Sequence, residues 1–184
     1  MGPLRRRLLH LVHPNRSHGS PRISGINSPK VVTIGGRHEL VDLMVEVATD
    51  PAEKVFAAKL RVASAYRTPL MEPQEKAHKD IAKTVLITTQ EPIAKVMTTV
   101  GGKWLEREMD VQYYWYNIRQ QVLFGTTVNK IVQELGAENV SFLEIAPHAV
   151  LKSCIDEIGG KPVSLIRRPN PKVPARTPGA LPVP

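Results

Sequence analysis

The stretch Val62-Ala63-Ser64-Ala65-Tyr66-Arg67-Thr68-Pro69-Leu70-Met71-Glu72-Pro73 lies where an apolar-alternating run stops and a helical run begins. Such a strand-to-helix junction is a place where a fold presents side chains to a ligand. The residue at its centre is Arg67, and its guanidinium stays protonated at any physiological pH. It is therefore no general base. The other groups with chemical potential read as packing residues. Cys154 falls among Val150, Leu151, Ile155 and Ile158 at helical spacing, as a buried small apolar residue does. His78 sits at or beside the apolar face of the run Met71, Glu75, Ile81, Ala82, Val85, and packing is preferred there over ligation. His10, His13 and His18 have no nearby carboxylate or thiolate to complete a metal site. No glycine in the 184 residues is followed two positions later by serine, so the chain has no nucleophile elbow of the Gly-x-Ser type.

The elements that must position Arg67 follow from periodicity. Ile23–Ile26 and Val31–Ile34, separated by Asn27-Ser28-Pro29, read as strand, turn and strand. From His38 a helix is expected, with Leu40, Leu43, Met44, Val47 and Ala48 on one face, ending at Asp50-Pro51. Val55 to Val62 alternates, with Phe56, Ala58, Leu60 and Val62 on one side and Ala57, Lys59 and Arg61 on the other. That predicts a half-buried strand. A helix follows the junction to Val85. Pro92–Gly102 predicts a strand ending in a glycine turn, and Val128, Ile131, Val132 and Leu135 form the stripe of a helix stopped by Gly136. Ser141–Ile145 is expected as a strand, Val150–Ile158 as a helix closed by Gly159-Gly160, and Val163–Ile166 as a last strand. Thr98–Val100 and Ser141–Ile145 are expected in a parallel sheet whose other strands lie outside these 184 residues, leaving apolar edges and faces uncovered.

Composition narrows the function classes. With 42% hydrophobic and 23% charged residues the chain is an ordinary globular one, and its apolar runs are too short for a membrane span. One cysteine excludes an intrachain disulfide framework and fits a reducing compartment. The net charge of +8 comes almost wholly from residues 1–38, which hold seven Lys/Arg and no acid. The nearly neutral remainder argues against a nucleic-acid face. Residues 1–20 lack the apolar core and cleavage site of a secretory signal. Their Arg-rich, acid-free start is compatible with a mitochondrial presequence, but low serine and Pro14 favour a disordered arm in a cytoplasmic protein.

Several motifs together carry a family resemblance. The junction is similar to V-x-x-A-[FY]-H-[ST]-P-x-M-E-P of the malonyl/acyltransferase domains of polyketide and animal-type fatty acid synthases. Val62, Ala65, Tyr66, Thr68, Pro69, Met71, Glu72 and Pro73 match, and Arg67 stands at the histidine. Asn27-Ser28-Pro29 with Gly35-Gly36 resembles the family's N-S-P…S-G passage, Gly35 taking the usual place of serine. Thr98–Gly102 resembles its S-T-V-T-G. Tyr114-Trp115-Tyr116-Asn117-Ile118-Arg119-Gln120-Gln121-Val122-Leu123-Phe124 resembles Y-W-x-x-N-[IL]-R-x-P-V-x-F, one residue shorter and with Gln121 for proline. Phe142–Leu151 is similar to F-[LV]-E-[IL]-G-P-H-[PA]-V-L.

The resemblance spans roughly residues 21–172 and implies an α/β fold with an α+β lid: a ferredoxin-like subdomain followed by the carboxyl-terminal part of an α/β-hydrolase-like acyltransferase core. The expected organisation is a basic arm over 1–20, the ferredoxin-like subdomain over 21–90, the core portion over 91–168 and a proline-rich tail over 169–184. In the family the histidine at the position of Arg67 deprotonates a serine in G-H-S-x-G, and the main-chain carbonyl at the position of Asn117 orients it. With arginine there, that carbonyl is expected to bind a cation. His148, in a segment the family uses for packing, is read as structural rather than as a second base. The elbow serine and the carboxylate-binding segment would precede Pro21. The implied substrates are acyl-coenzyme A and a phosphopantetheinyl carrier protein; no cofactor or metal is implied. The implied partners are an acyl carrier protein or the rest of a multidomain synthase, with no nucleic acid and no membrane. Two functional classes stay open: a partial acyltransferase domain, inactive alone, or a non-catalytic descendant that binds a partner.

Overall fold

The computed structural model of the chain describes residues 19–49, 55–85, 93–106, 108–146 and 149–164. The basic arm with its three histidines, the Asp50-Pro51 stop, His148, the beginning of the run from Pro92 and the proline-rich tail lie outside the described residues. The architecture is mixed α/β. The strands are β1 (Arg22–Ile26), β2 (Val32–Gly35), β3 (Met97–Thr98), β4 (Lys103–Trp104), β5 (Phe142–Glu144) and β6 (Pro162–Ser164). The helices are α1 (His38–Ala48), α2 (Glu75–Thr84), α3 (Val111–Arg119), α4 (Phe124–Leu135) and α5 (Lys152–Ile158), with a 3₁₀ turn over Pro69–Gln74 ahead of α2.

The turn between β1 and β2 forms as its residues dictate. Ser28 is buried, and its Oγ accepts the backbone N–H groups of Lys30 and Val31 while donating to Glu157 Oε2 on α5 at 2.5 Å. The antiparallel pair slips register between Ile23 and Gly25, a bulge at Ser24. The other edge of β1 is used too: Ile26 N–H donates to Val122 O at 2.8 Å, and Val122 N–H donates to Ser24 O at 2.9 Å. Val122 also bridges antiparallel to Val100. An extended segment centred on Val122 thus joins the β1–β2 ribbon to the end of the β3–β4 hairpin.

α4 packs on β1 and on α5, and α2 packs on α3. Among the described residues Met44, Ala48, Val100, Trp115, Val128, Cys154 and Ile155 form the buried apolar core, so Cys154 is a packing residue as its spacing implied. β5, α5 and β6 make a parallel β-α-β unit. Glu144 fixes the approach to α5: its carboxylate accepts the N–H groups of Val150 and of the N-cap residue Leu151, just ahead of the helix. Gly136 and Gly159 take positive φ of 84° and 85° and end α4 and α5, as expected from their positions.

Two expectations are corrected. Residues 55–62 are not a strand. No described strand pairs with them, and the face that is anchored is the polar one, through Lys59 Nζ to Asp42 Oδ1 of α1 at 2.5 Å. Phe56 stands 92% exposed, with Leu60 and Val62 also exposed. Alternation specifies a strand only where a neighbouring strand supplies hydrogen bonds. Nor do Thr98–Val100 and Ser141–Ile145 share a parallel sheet among the described residues: β3 pairs antiparallel with β4, because the positive φ of Gly101 and Gly102 turns the chain back on itself, and β5 is parallel to β6.

Leu143, Ile145 and Val163 on the β-α-β unit, and Phe56, Leu60 and Ile81 elsewhere, leave apolar surface open. We expect the isolated chain to self-associate, read by sedimentation velocity; a monomer with a sharp cooperative melt would count against this. A second expectation concerns Gly35. A Cβ there would stand 2.8 Å from the methyl group of buried Thr68 and 3.4 Å from the Tyr66 carbonyl. Gly35→Ala should destabilise by about 1–3 kcal/mol in urea unfolding, the usual cost of overpacking, although Gly→Ala in open space is neutral or stabilising.

Candidate functional site

The junction around Arg67 is built from local chemistry. Thr68 is 1% exposed; its Oγ1 donates to Ala65 O at 2.7 Å and accepts the Leu70 N–H at 3.3 Å. It caps the 3₁₀ turn that Pro69 opens, a pairing that suits a helix start. The tight loop ahead of that cap puts Arg67 at φ 66°, the one positive value at a non-glycine position among the described residues. Left-handed backbone costs an L-residue roughly 1–2 kcal/mol. Contacts elsewhere must hold it.

Those contacts come from three successive residues in the last turn of α3. The Arg67 backbone N–H donates to Ile118 O at 2.8 Å, filling one of the carbonyls that a helix end leaves without a partner. Arg67 Nη2 donates to Asn117 Oδ1 at 2.6 Å. Arg119 donates through Nε and Nη2 to Glu72 Oε1 on the 3₁₀ turn. Both cations face the negative end of the helix dipole, where positive charge is favoured. α3 itself starts at Asp110, whose carboxylate accepts the Tyr113 N–H at 2.6 Å, and Tyr113 in turn reaches Thr98 with its hydroxyl at 2.9 Å. Trp115, 3% exposed, carries the helix into the core and lies 5.7 Å from the ring of His78.

Arg67 and Asn117, singled out from the sequence, are thus in contact. The contact differs from the expected one in a chemical detail. It is the side-chain carbonyl of Asn117 that binds the guanidinium, and the main-chain carbonyl bound by this loop belongs to Ile118. Two residues that sequence reading did not single out complete the arrangement, Glu72 and Arg119; their opposite charges were visible but their pairing, across 47 positions, was not. His78 packs, as its spacing implied, though its Nε2 is buried without a hydrogen-bond partner among the described residues.

Electrostatically, Arg67 is unusual. Burial pulls its guanidinium below the ordinary arginine value, and Tyr113 opposes the change. Its Nη1 is buried without a hydrogen-bond partner among the described residues. The group remains a cation and hydrogen-bond donor, with no lone pair to accept a proton. No group of three metal-ligating side chains occurs among the described residues, and none of their helices is long and apolar enough to cross a membrane.

The acyl transferase domain family matches residues 13–165. Among curated proteins, a highly reducing polyketide synthase of Strobilurus tenacellus is 31% identical over 151 residues, a match covering 80% of this chain and 5% of that synthase. A partially reducing polyketide synthase of Talaromyces stipitatus is 28% identical over 151 residues, covering 77% of this chain and 6% of its own. Among solved structures, a loading acyltransferase from the avermectin modular polyketide synthase superposes with a TM-score of 0.76 at 23% identity, over 89% of this chain and 50% of that one. The acyltransferase domain from the second module of the salinomycin polyketide synthase gives 0.68 at 24%, over 91% and 38%. The chain therefore spans a small fraction of the curated relatives and half or less of these solved domains.

The three contacts with α3 are not equal. Asn117→Ala strands a partly buried charged donor and should cost about 1–3 kcal/mol in urea unfolding, with faster hydrogen exchange at the Arg67 amide. Glu72→Gln touches a partly exposed pair and should cost at most about 1 kcal/mol. Equal losses would show that Arg67 contributes nothing beyond a surface ion pair.

Proposed function

Since this chain belongs to the acyl transferase domain family, we propose that it represents the carboxyl-terminal part of such a domain and transfers no acyl group by itself. The observation that carries the reading is Arg67. It occupies the junction where the family motif has histidine, in register with eight matching letters, and its guanidinium is engaged by Asn117. General-base activation is worth typically about 10²–10⁴-fold. An arginine supplies none of it. The lack of a Gly-x-Ser in these 184 residues supports the same reading, because the covalent acyl intermediate needs that nucleophile.

The finer organisation belongs to this proposal. We read residues 21–90 as the counterpart of the family's ferredoxin-like small subdomain and 91–168 as the end of its larger α/β core. The order β1, β2, α1, junction, α2 supports the first and the β5-α5-β6 unit supports the second. The two portions would not be independent, since Ser28–Glu157, Gln121–Ile23 and the Val122 ladder tie one to the other. The family reaction passes acyl groups from coenzyme A through a serine ester to a carrier protein; a carrier protein or further synthase domains are the partners this implies. A second reading, a non-catalytic protein that binds such a partner, is favoured by the open apolar face of Leu143, Ile145 and Val163.

The test uses radiolabelled malonyl- and acetyl-coenzyme A with the wild-type and Arg67→His chains. Neither should acquire acid-stable label or pass it to a carrier protein. Label on a serine in either chain would overturn the proposal. Label that appears only when a serine-bearing amino-terminal portion is added to Arg67→His would identify the chain as a competent scaffold without its base. Persistent failure would favour the partner-binding reading.

A further inference from the structure

Three side chains away from the junction meet where residues 55–62 lie against α1. His38 Nδ1 stands 3.0 Å from Asp42 Oδ2, while Lys59 Nζ stands 2.8 Å from His38 Nε2 and 2.5 Å from Asp42 Oδ1. The proton positions follow from these partners. The Lys59 hydrogen bond holds the Asp42 carboxyl below its ordinary value against a smaller opposing desolvation, so at neutral pH the group is a carboxylate and only accepts. His38 Nδ1 therefore carries the ring hydrogen, and Nε2 turns its lone pair to the Lys59 ammonium. An amine, a base in reach of its proton and a carboxylate that orients the base stand in the order of a nucleophilic relay. The i,i+4 spacing puts His38 and Asp42 on one face of α1. Lys59 comes to them from 21 residues beyond His38.

We infer that Lys59 is a Schiff-base nucleophile for small aldehydes, with His38 as its proton carrier and Asp42 as the residue that positions His38. The Lys59 nitrogen spends two donors on His38 and Asp42, and its remaining tetrahedral position has no partner among the described residues. The surroundings are open, since the Lys59, His38 and Asp42 side chains are 43%, 71% and 42% exposed. The ammonium passes one proton to His38 Nε2, which leaves the net charge of the cluster unchanged because Asp42 then pairs with the imidazolium. The amine lone pair forms the N–C bond to the aldehyde carbon, and the proton freed from nitrogen moves to the carbonyl oxygen, giving a carbinolamine. His38 then gives its proton to that hydroxyl. The C–O bond breaks, water leaves, and the nitrogen lone pair closes the C=N bond. Ammonium and aldehyde have become protonated imine and water, with His38 neutral again. An aldehyde is the class that uses this arrangement in full, because its oxygen leaves only when protonated and His38 holds the proton to give. The inference shares no residue with the Arg67 junction and stands apart from the absence of acyl transfer.

The probe is propanal with sodium cyanoborohydride, which reduces the imine to a stable secondary amine, read lysine by lysine in the full chain by peptide mass spectrometry. Lys76 is the internal control, because its amine pairs with Asp80 at 3.3 Å and is not hydrogen-bonded to a described histidine. General acid–base assistance is typically worth about 10²–10⁴-fold, and an exposed ion pair withholds the amine by at most about fivefold. Lys59 should therefore be alkylated at least about tenfold faster than Lys76. His38→Gln keeps the ion pair that anchors the segment and should bring Lys59 down to the Lys76 rate. Asp42→Asn separates a relay from a plain ion pair by the sign of its effect. Freeing an ion-paired ammonium raises its reactivity, whereas misdirecting the imidazole lowers it, and a fall is expected. The inference is overturned if Lys59 reacts no faster than Lys76, if His38→Gln leaves Lys59 as fast as before, or if Asp42→Asn accelerates it, which would make the cluster a surface ion pair and nothing more.

Discussion

The last turn of α3 holds the junction that precedes α2, and most of the recognisable chemistry depends on that attachment. Asn117, Ile118 and Arg119 each contribute one contact, to a side chain, a backbone amide and a carboxylate respectively. A helix end is suited to this work because its carbonyls need donors and its dipole favours cations. The loop is suited because Thr68, sealed from solvent, fixes the turn beside Arg67. Neither half is self-sufficient: the left-handed backbone at Arg67 would relax without α3, and the end of α3 would face water without the loop.

Replacing an imidazole by a guanidinium at such a place changes the kind of chemistry available, not only its rate. Imidazole exchanges a proton near neutral pH and both donates and accepts; guanidinium only donates and remains charged. The site still has a positioned polar group, a supporting amide and a partly desolvated setting. What the guanidinium supplies is a fixed cation and donor; what it lacks is proton transfer.

Local chemistry was readable in the sequence and long-range pairing was not. Asn27-Ser28-Pro29 marked its turn, the stripe from Leu40 to Ala48 marked α1, and Gly136 and Gly159 marked helix ends, because each is decided within a few residues. Residues 55–62 misled for the complementary reason. Their alternation is a property of the segment, whereas a strand is a property of a pair, and the described structure offers Lys59 an ion pair with α1 instead of a ladder. The role of Val122 was hidden in the same way, since nothing in Gln121-Val122-Leu123 announces that β1 lies on one side and Val100 on the other. At the site, motif order located Arg67 and Asn117, but only coordinates could decide between the side-chain and main-chain oxygen.

The bond from Gln121 Nε2 to Ile23 O closes 98 residues of chain, and that from Ser28 to Glu157 closes 129. Such separations make the order of events during synthesis matter. When β1 and β2 leave the ribosome, their partners at Val122 and Glu157 do not yet exist, and at about 5–20 residues per second the wait for residue 121 alone is about 5–20 s. For that interval the free edge of β1 presents unpaired amides and carbonyls to whatever else is nearby. Loop-closure entropy then opposes the late pairing, which gains nothing until the ends meet. The bulge at Ser24 interrupts the regular edge just where it waits, and twisting an edge in this way is a known guard against pairing with the wrong chain.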